Sequence, residues 1–345
     1  VVIVNAGLIQ SLDDRAIDTD NASDGPRSLS LTNNGTITSP DDAIRIDDSL
    51  VGGTVWLDNS GLIQSTDDGQ AIDLNGVDGA LWINIFNREG GVIYAADADA
   101  VRPGGNATVF NYGHIKADSD ADGIDFQENS NGRVYNYGTG LIEGGGHGIT
   151  GDEAVTVFND VGGRIVGHNG SAVNIDNGPD VEDTVYVTNY GTMEGRSAEI
   201  DDSDGDAVDV DGLLSLDNYG AIRGLGHEGY HDGEANVSEG VAAGGGVINN
   251  FADGVIYGYG RGIQIDNSGN GGAYAATTIT NEGRIEGGGH GPEGVDPEDI
   301  LPLTPIGSEA IKLVGEWDDL LINSGTIVGG VMMGGGDDRL ANAGS

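Results

Sequence analysis

Val185–Gly195 reads VYVTNYGTMEG, and the pattern returns as LSLDNYGAIRG over Leu214–Gly224 and as TTITNEGRIEG over Thr277–Gly287. The shared form is aliphatic, any residue, Asn, any residue, Gly, any residue, aliphatic. Its Asn recurs from Asn5 through Asn33, Asn59, Asn87, Asn111, Asn136 and Asn159 to Asn342, with most spacings between 23 (Asn136 to Asn159) and 32 (Asn218 to Asn250). A period in that range is the signature of a solenoid, in which each repeat buries its apolar face only by stacking on its neighbours.

A second unit lies between successive copies: a small residue, an aliphatic, any residue and another aliphatic. Examples are Ala43-Ile44-Arg45-Ile46, Ala71-Ile72-Asp73-Leu74 and Ala172-Val173-Asn174-Ile175. Each repeat therefore offers three short strands. The first ends on the Asn, the second carries the aliphatic after the Gly, and the third is the small-aliphatic unit. Two residues before the Asn stand Leu57, Val109, Val187, Leu216 and Ile279 in different repeats. Strand side chains alternate between faces, so these point inward and the Asn points inward with them, at a corner. In four repeats the second aliphatic comes two residues later, at Ile93, Ile142, Ile165 and Ile256. An insertion of this kind belongs in a corner, because inside a strand it would disturb the register. The corner Gly is expected to take a positive φ.

These observations predict an all-β fold, a right-handed parallel β-helix of about twelve rungs and about 58 Å at one strand spacing per rung. Residues 1–345 read as one solenoid with longer connections at 196–206, 225–239 and 288–308. A left-handed helix would show a hexapeptide period, and a propeller would need four strands per repeat. The sequence begins and stops inside repeats, which reads as a piece of a longer protein.

Of 345 residues, 63 are Gly, none is Cys, and the net charge is -43. Such a surface repels nucleic acid and anionic membranes. It leaves cations, neutral glycans and basic protein surfaces as partners. No apolar run is long enough to insert this segment into a bilayer.

The recurring Asn-x-Gly-x-aliphatic unit, the Ala71-Ile72-Asp73-Leu74 type and the closing Gly334-Gly335-Gly336-Asp337-Asp338-Arg339-Leu340 resemble the passenger domains of bacterial autotransporters. That resemblance implies export through an outer-membrane barrel, which this sequence lacks, and an extracellular or bacterial cell-surface location. It does not select an activity, since passengers include adhesins, proteases and esterases.

Candidate sites fall into three groups. Stacked acidic corners would set carboxylates one strand spacing apart, which raises their pKa values unless a cation intervenes. Asp118, Asp120 and Asp122, followed by Gly123, match the start of a calcium loop, although its twelfth position is Asn129 instead of Glu. Asp202, Asp204 and Asp206 repeat the spacing without the Gly. Calcium is the cation expected there, and solvated turn aspartates are the competing reading. A second group is the histidines of the long connections: His147, His168, His227, His231 and His290. His227-Glu228-Gly229-Tyr230-His231 has the zincin spacing but sits among glycines with no helical pattern around it. No GxSxG is present. The sequence leans away from an enzyme, with a β-helical hydrolase using the loop side, or a plain spacer, as the alternatives.

The third group is aromatic. Phe86, Phe110, Tyr135 and Phe158 stand just before the Asn in consecutive repeats, and Tyr112, Tyr137, Tyr190 and Tyr219 just after it. The solenoid turns them into columns on one outer face. Such a platform suits a glycan or a protein surface, or else ties neighbouring rungs together. The functional expectation is an adhesin-like, calcium-supported surface module.

Overall fold

The computed structural model describes residues 1–19, 28–47, 52–77, 79–197, 205–226, 229–231, 234–236, 238–266, 272–287 and 309–345. For residues 229–231 and 234–236 only the backbone is described. The chain divides into two compact units, Val1–Arg164 and Ile165–Ser345. Each is a right-handed parallel β-helix with three faces, here called sheets A, B and C in the order the chain visits them. Among the described residues there is no α-helix, and no helix long and apolar enough to cross a membrane.

In the first unit sheet A starts at Val2–Asn5 and ends at Val155–Asn159, each strand closing on the repeat's Asn. Sheet B carries the second aliphatic and sheet C the small-aliphatic unit, as in Thr36–Ser39 and Ile44–Ile46. The second unit repeats the plan, with Val185–Asn189 in sheet A, Thr192–Gly195 in sheet B and Val208–Val210 in sheet C. Of the long connections, 196–206 and 225–239 are described in part, and 288–308 lies outside the described residues. Within the second, Gly229–His231 and Glu234–Asn236 form an antiparallel hairpin.

The predicted register holds. Leu57, Val109, Val187, Leu216 and Ile279 are all at most 1% exposed. Ile93 pairs in register with Ile63 and with Ile115, so the two-residue insertion is absorbed in the corner before it. There Gly91 N–H donates to Arg88 O at 2.9 Å and Gly90 takes φ +79°, a tight turn.

The buried Asn column is the inner seam. Asn111 Nδ2 donates to Asn136 Oδ1 at 2.8 Å and to Leu141 O of the next rung at 3.1 Å. Its Oδ1 accepts from Asn87 Nδ2 at 2.9 Å and from Gly113 N–H at 3.2 Å. One amide thus satisfies the corner of its own rung and bonds the rungs on both sides, which is why Asn, with donor and acceptor in one plane, recurs.

The expected positive φ is found in three inserted corners, at Gly90, Gly138 and Gly162, whereas the glycine of the uninserted corners is required for a different reason. Gly35, Gly61, Gly113 and Gly220 are not among the positive-φ residues. A Cβ on Gly61 would instead lie 2.1 Å from Gly35 O of the preceding rung, and one on Gly220 2.2 Å from Gly191 O. The backbones stack too closely for a side chain. We predict that Gly61→Ala costs about 2 kcal/mol as an overpacking defect, measured by urea unfolding. A cost below the error of that measurement would show that the corner yields freely.

Candidate functional site

Two features stand apart from the regular packing: an aromatic face on sheet A and a buried carboxylate cluster where the chain enters sheet C.

The aromatic face of the first unit is built by strand alternation. Between Thr54 and Phe158 the outward side chains of sheet A include Trp56, Trp82, Phe86, Phe110, Tyr135 and Phe158. Phe86 and Phe110 have centroids 4.5 Å apart and 6° between planes, and Phe110 and Tyr135 are 5.4 Å and 12° apart. Tyr112 and Tyr137 form a parallel column at 5.1 Å and 21°. In the second unit Tyr190, Tyr219 and Phe251 stack at 4.4 and 4.1 Å. Tyr112 and Tyr190 are exposed, and Phe110, Tyr135, Tyr137 and Tyr219 are half-buried.

The stacking alters what this face offers. Rings that lie face to face cover one another's faces and turn their edges to solvent, so the ladder is not a continuous flat platform. Ring faces are left less covered where stacking breaks. Trp56 and Trp82, 36% and 39% exposed, meet edge to face at 6.4 Å and 80°, and Trp56 tilts by 35° over Phe86. Tyr137 and Phe158 are inclined at 51°. The two tryptophans were not singled out from sequence because they lie two and four residues ahead of the ring column. Their outward parity was the signal available.

Beside the rings runs a polar row: Asn84, Thr108, Arg133 and Thr156, in register from strand to strand. Among the described residues, none of these four side chains makes a hydrogen bond or ion pair within the protein. The one outward carboxylate on these strands is Asp58, held by Arg88 through two bonds of 2.9 and 2.7 Å, with the guanidinium also 4.5 Å above the Phe86 ring. Asp160 stands just past the strands, next in the column after Tyr112 and Tyr137.

The carboxylate cluster belongs to sheet C. Two residues before and one after each central aliphatic, the first unit places Asp42 with Arg45, Asp99 with Arg102, and Asp122 with Asp125. Arg45 reaches Asp42 and Asp73, both at 3.2 Å. Arg102 reaches Asp99 at 2.7 Å and Asp125 at 3.5 Å. The leading aspartate also supplies an acceptor to the next rung: Asp42 to Gln70 N–H, Asp99 to Asp122 N–H and Asp122 to His147 N–H, the last at 2.6 Å. The Asp122–Asp125 rung breaks the pattern by carrying two acids and no base. Burial, and then the neighbouring charges of Asp99 and Asp125, push Asp122 up to about 7 despite the His147 N–H bond. Asp125 is raised as well, first by burial and then by Asp99.

The calcium-like stretch does not gather its carboxylates in one place. Asp118 turns outward to Lys116 at 2.7 Å and to the Tyr94 hydroxyl at 2.8 Å, which holds it below the ordinary carboxylate value. Asp120 is exposed, and Asp122 turns inward to Asp99 and Asp125. Among the described residues the converging triads are Asp99, Asp122, Asp125 and the exposed Asp67, Asp68, Asp97. Calcium takes about six to eight oxygens. In the inner triad Arg102 and main-chain N–H groups already engage several of the oxygens, so nothing there selects calcium. Asp202 and Asp204 lie outside the described residues, while Asp206 is buried and accepts from Glu239 N–H.

Of the loop histidines, His147 is desolvated, which lowers its pKa to about 4. His168 is half-buried. His227 and His290 lie outside the described residues, as does the side chain of His231, so the zincin-like spacing is not part of the described site. No known family model, curated protein or solved structure matches the chain.

Proposed function

We propose that this chain is a non-catalytic recognition module of a surface-displayed or secreted protein, and that it binds a glycan along the outer face of sheet A in Val1–Arg164. One observation carries the reading. In a chain with 57 Asp and Glu, the sheet A strands of this stretch present a single outward carboxylate, tied to Arg88, with Asp160 at the end of the Tyr112–Tyr137 column as the acid beside them. What remains is an apolar row of rings beside a polar row with open hydrogen-bonding capacity. A linear saccharide has the matching character, with C–H patches on its ring faces and hydroxyls at its edges. Exposed aromatic groups of this extent mark binding surfaces, and the Trp56–Trp82 pair, where the stacking breaks, offers ring surface to solvent. The resemblance to autotransporter passengers supports the extracellular setting.

The test is a glycan array, followed by titration of the best ligand. The Trp56→Ala, Trp82→Ala double variant should bind about tenfold more weakly or worse, as expected for aromatic anchors, with its melting curve close to that of the parent. Unchanged binding by the double variant, or a parent that binds no glycan while capturing a protein partner through the same face, would sink the reading.

A further inference from the structure

Arg133 stands apart within Val1–Arg164, as the exposed Arg339 does in the second unit. In Val1–Arg164 the other described arginines with assigned contacts, Arg15, Arg45, Arg88 and Arg102, each hold at least one carboxylate. Arg133 is exposed on sheet A, between Thr108 and Thr156 of the adjoining strands and two residues from Tyr135. No carboxylate lies within ion-pair distance of it among the described residues, although the chain carries a net charge of -43. A guanidinium left open in so acidic a protein, at the middle of the polar row, has planar donors aimed at solvent and suited to one carboxylate.

We infer that Arg133 is a specificity residue that selects a glycan carrying a sparse carboxylate, a uronic-acid-type substituent within an otherwise neutral chain. The inference rests on the glycan-binding reading of this face. Two facts narrow the class. A wholly neutral chain would leave Arg133 without a charged partner. A polyanion would set its remaining carboxylates against a chain of net charge -43, with Asp160 beside the Tyr137 ring. One acidic sugar seated at Arg133, with neutral sugars over Phe110 and toward Trp56, satisfies both constraints.

The experiment uses a panel of acidic oligosaccharides with sparse and with dense uronic acid, each paired with its carboxyl-reduced neutral derivative. Titrations use the parent and Arg133→Gln, with urea unfolding of both as the control for fold. The parent should prefer a sparsely acidic member over its reduced partner by about tenfold, as a charge-assisted pair provides. Arg133→Gln should lose that preference while binding the reduced member as the parent does. Equal binding of a pair by the parent, a preference that survives in Arg133→Gln, or tightest binding by the densest polyuronate would overturn the inference and leave the aromatic-face reading standing. Failure of every member, acidic or reduced, would overturn both.

Discussion

Asn111→Ala is expected to lower the unfolding free energy by about 4 kcal/mol, the sum of two or three buried polar groups left without partners at about 1–3 kcal/mol each. The residue is fully buried, and its amide makes contacts in three rungs. Truncation strands Gly113 N–H, the Oδ1 of Asn136 and one acceptor on Leu141 O. Asn87 Nδ2 keeps its bonds to Gly91 O and His114 O, so the damage runs mainly toward the following rung. Asn111→Asp should be worse. The second carboxylate oxygen would face the acceptors Asn136 Oδ1 and Leu141 O in place of a donor, and a charge would be buried without a counter-ion. Urea unfolding at pH 7 measures both. An Asn111→Ala cost below about 1 kcal/mol, within what one ordinary hydrogen bond contributes, would mean that water enters the seam and that the column is not what joins the rungs.

The parts of this molecule that follow from residue alternation were legible in the sequence. Leu57, Val109 and Ile279 announced the inner face two residues before each Asn, and the amide column followed because an inward Asn must find partners rung to rung. The positive φ of Gly90, Gly138 and Gly162 in the inserted corners was legible, whereas the glycines of the uninserted corners were legible as required but not as to why. Their constraint is the carbonyl of the rung before, as with Gly35 O beneath Gly61, a contact between residues far apart in sequence. The acid stretch Asp118–Asp122 reads as one loop, yet a corner runs through it. Asp118 sits at the end of sheet B and Asp122 two residues before Ile124 of sheet C, so their side chains leave on different sides. The ring columns were legible, but their stacking face to face was not. Neither was the diagonal reach of Trp56 onto Phe86, because side-chain rotation is not written in register. Arg133 draws attention only once its neighbours are known to be threonines instead of aspartates.

Asp122→Asn is expected to stabilise the protein at pH 8 by about 3 kcal/mol and to have almost no effect near pH 4. The side chain lies against Asp99 and Asp125, with Arg102 as the countercharge and the His147 main-chain N–H as its donor. Arg102 is already committed to Asp99 at 2.7 Å. The direction follows from proton linkage. The folded-state value of about 7 lies above the ordinary 3.8, so between those two pH values the folded protein retains a proton that the unfolded chain has released. Stability therefore falls as pH rises through this window, by about 1.4 kcal/mol per unit at most, and the penalty is complete above pH 7. Partial contact with solvent reduces the full span to about 3 kcal/mol. Asparagine retains an oxygen to accept the His147 N–H and carries no charge, so it removes the penalty without opening the rung. Unfolding of parent and variant should be followed from pH 4 to pH 8 in chelator. The difference between them should grow steadily with pH, then level off above neutrality. A difference independent of pH, or a variant less stable than the parent at pH 8, would show that the Asp122 carboxylate is ionised and well compensated where it stands. If calcium added at pH 8 stabilises the parent but not the variant, a cation takes the place assigned here to the proton.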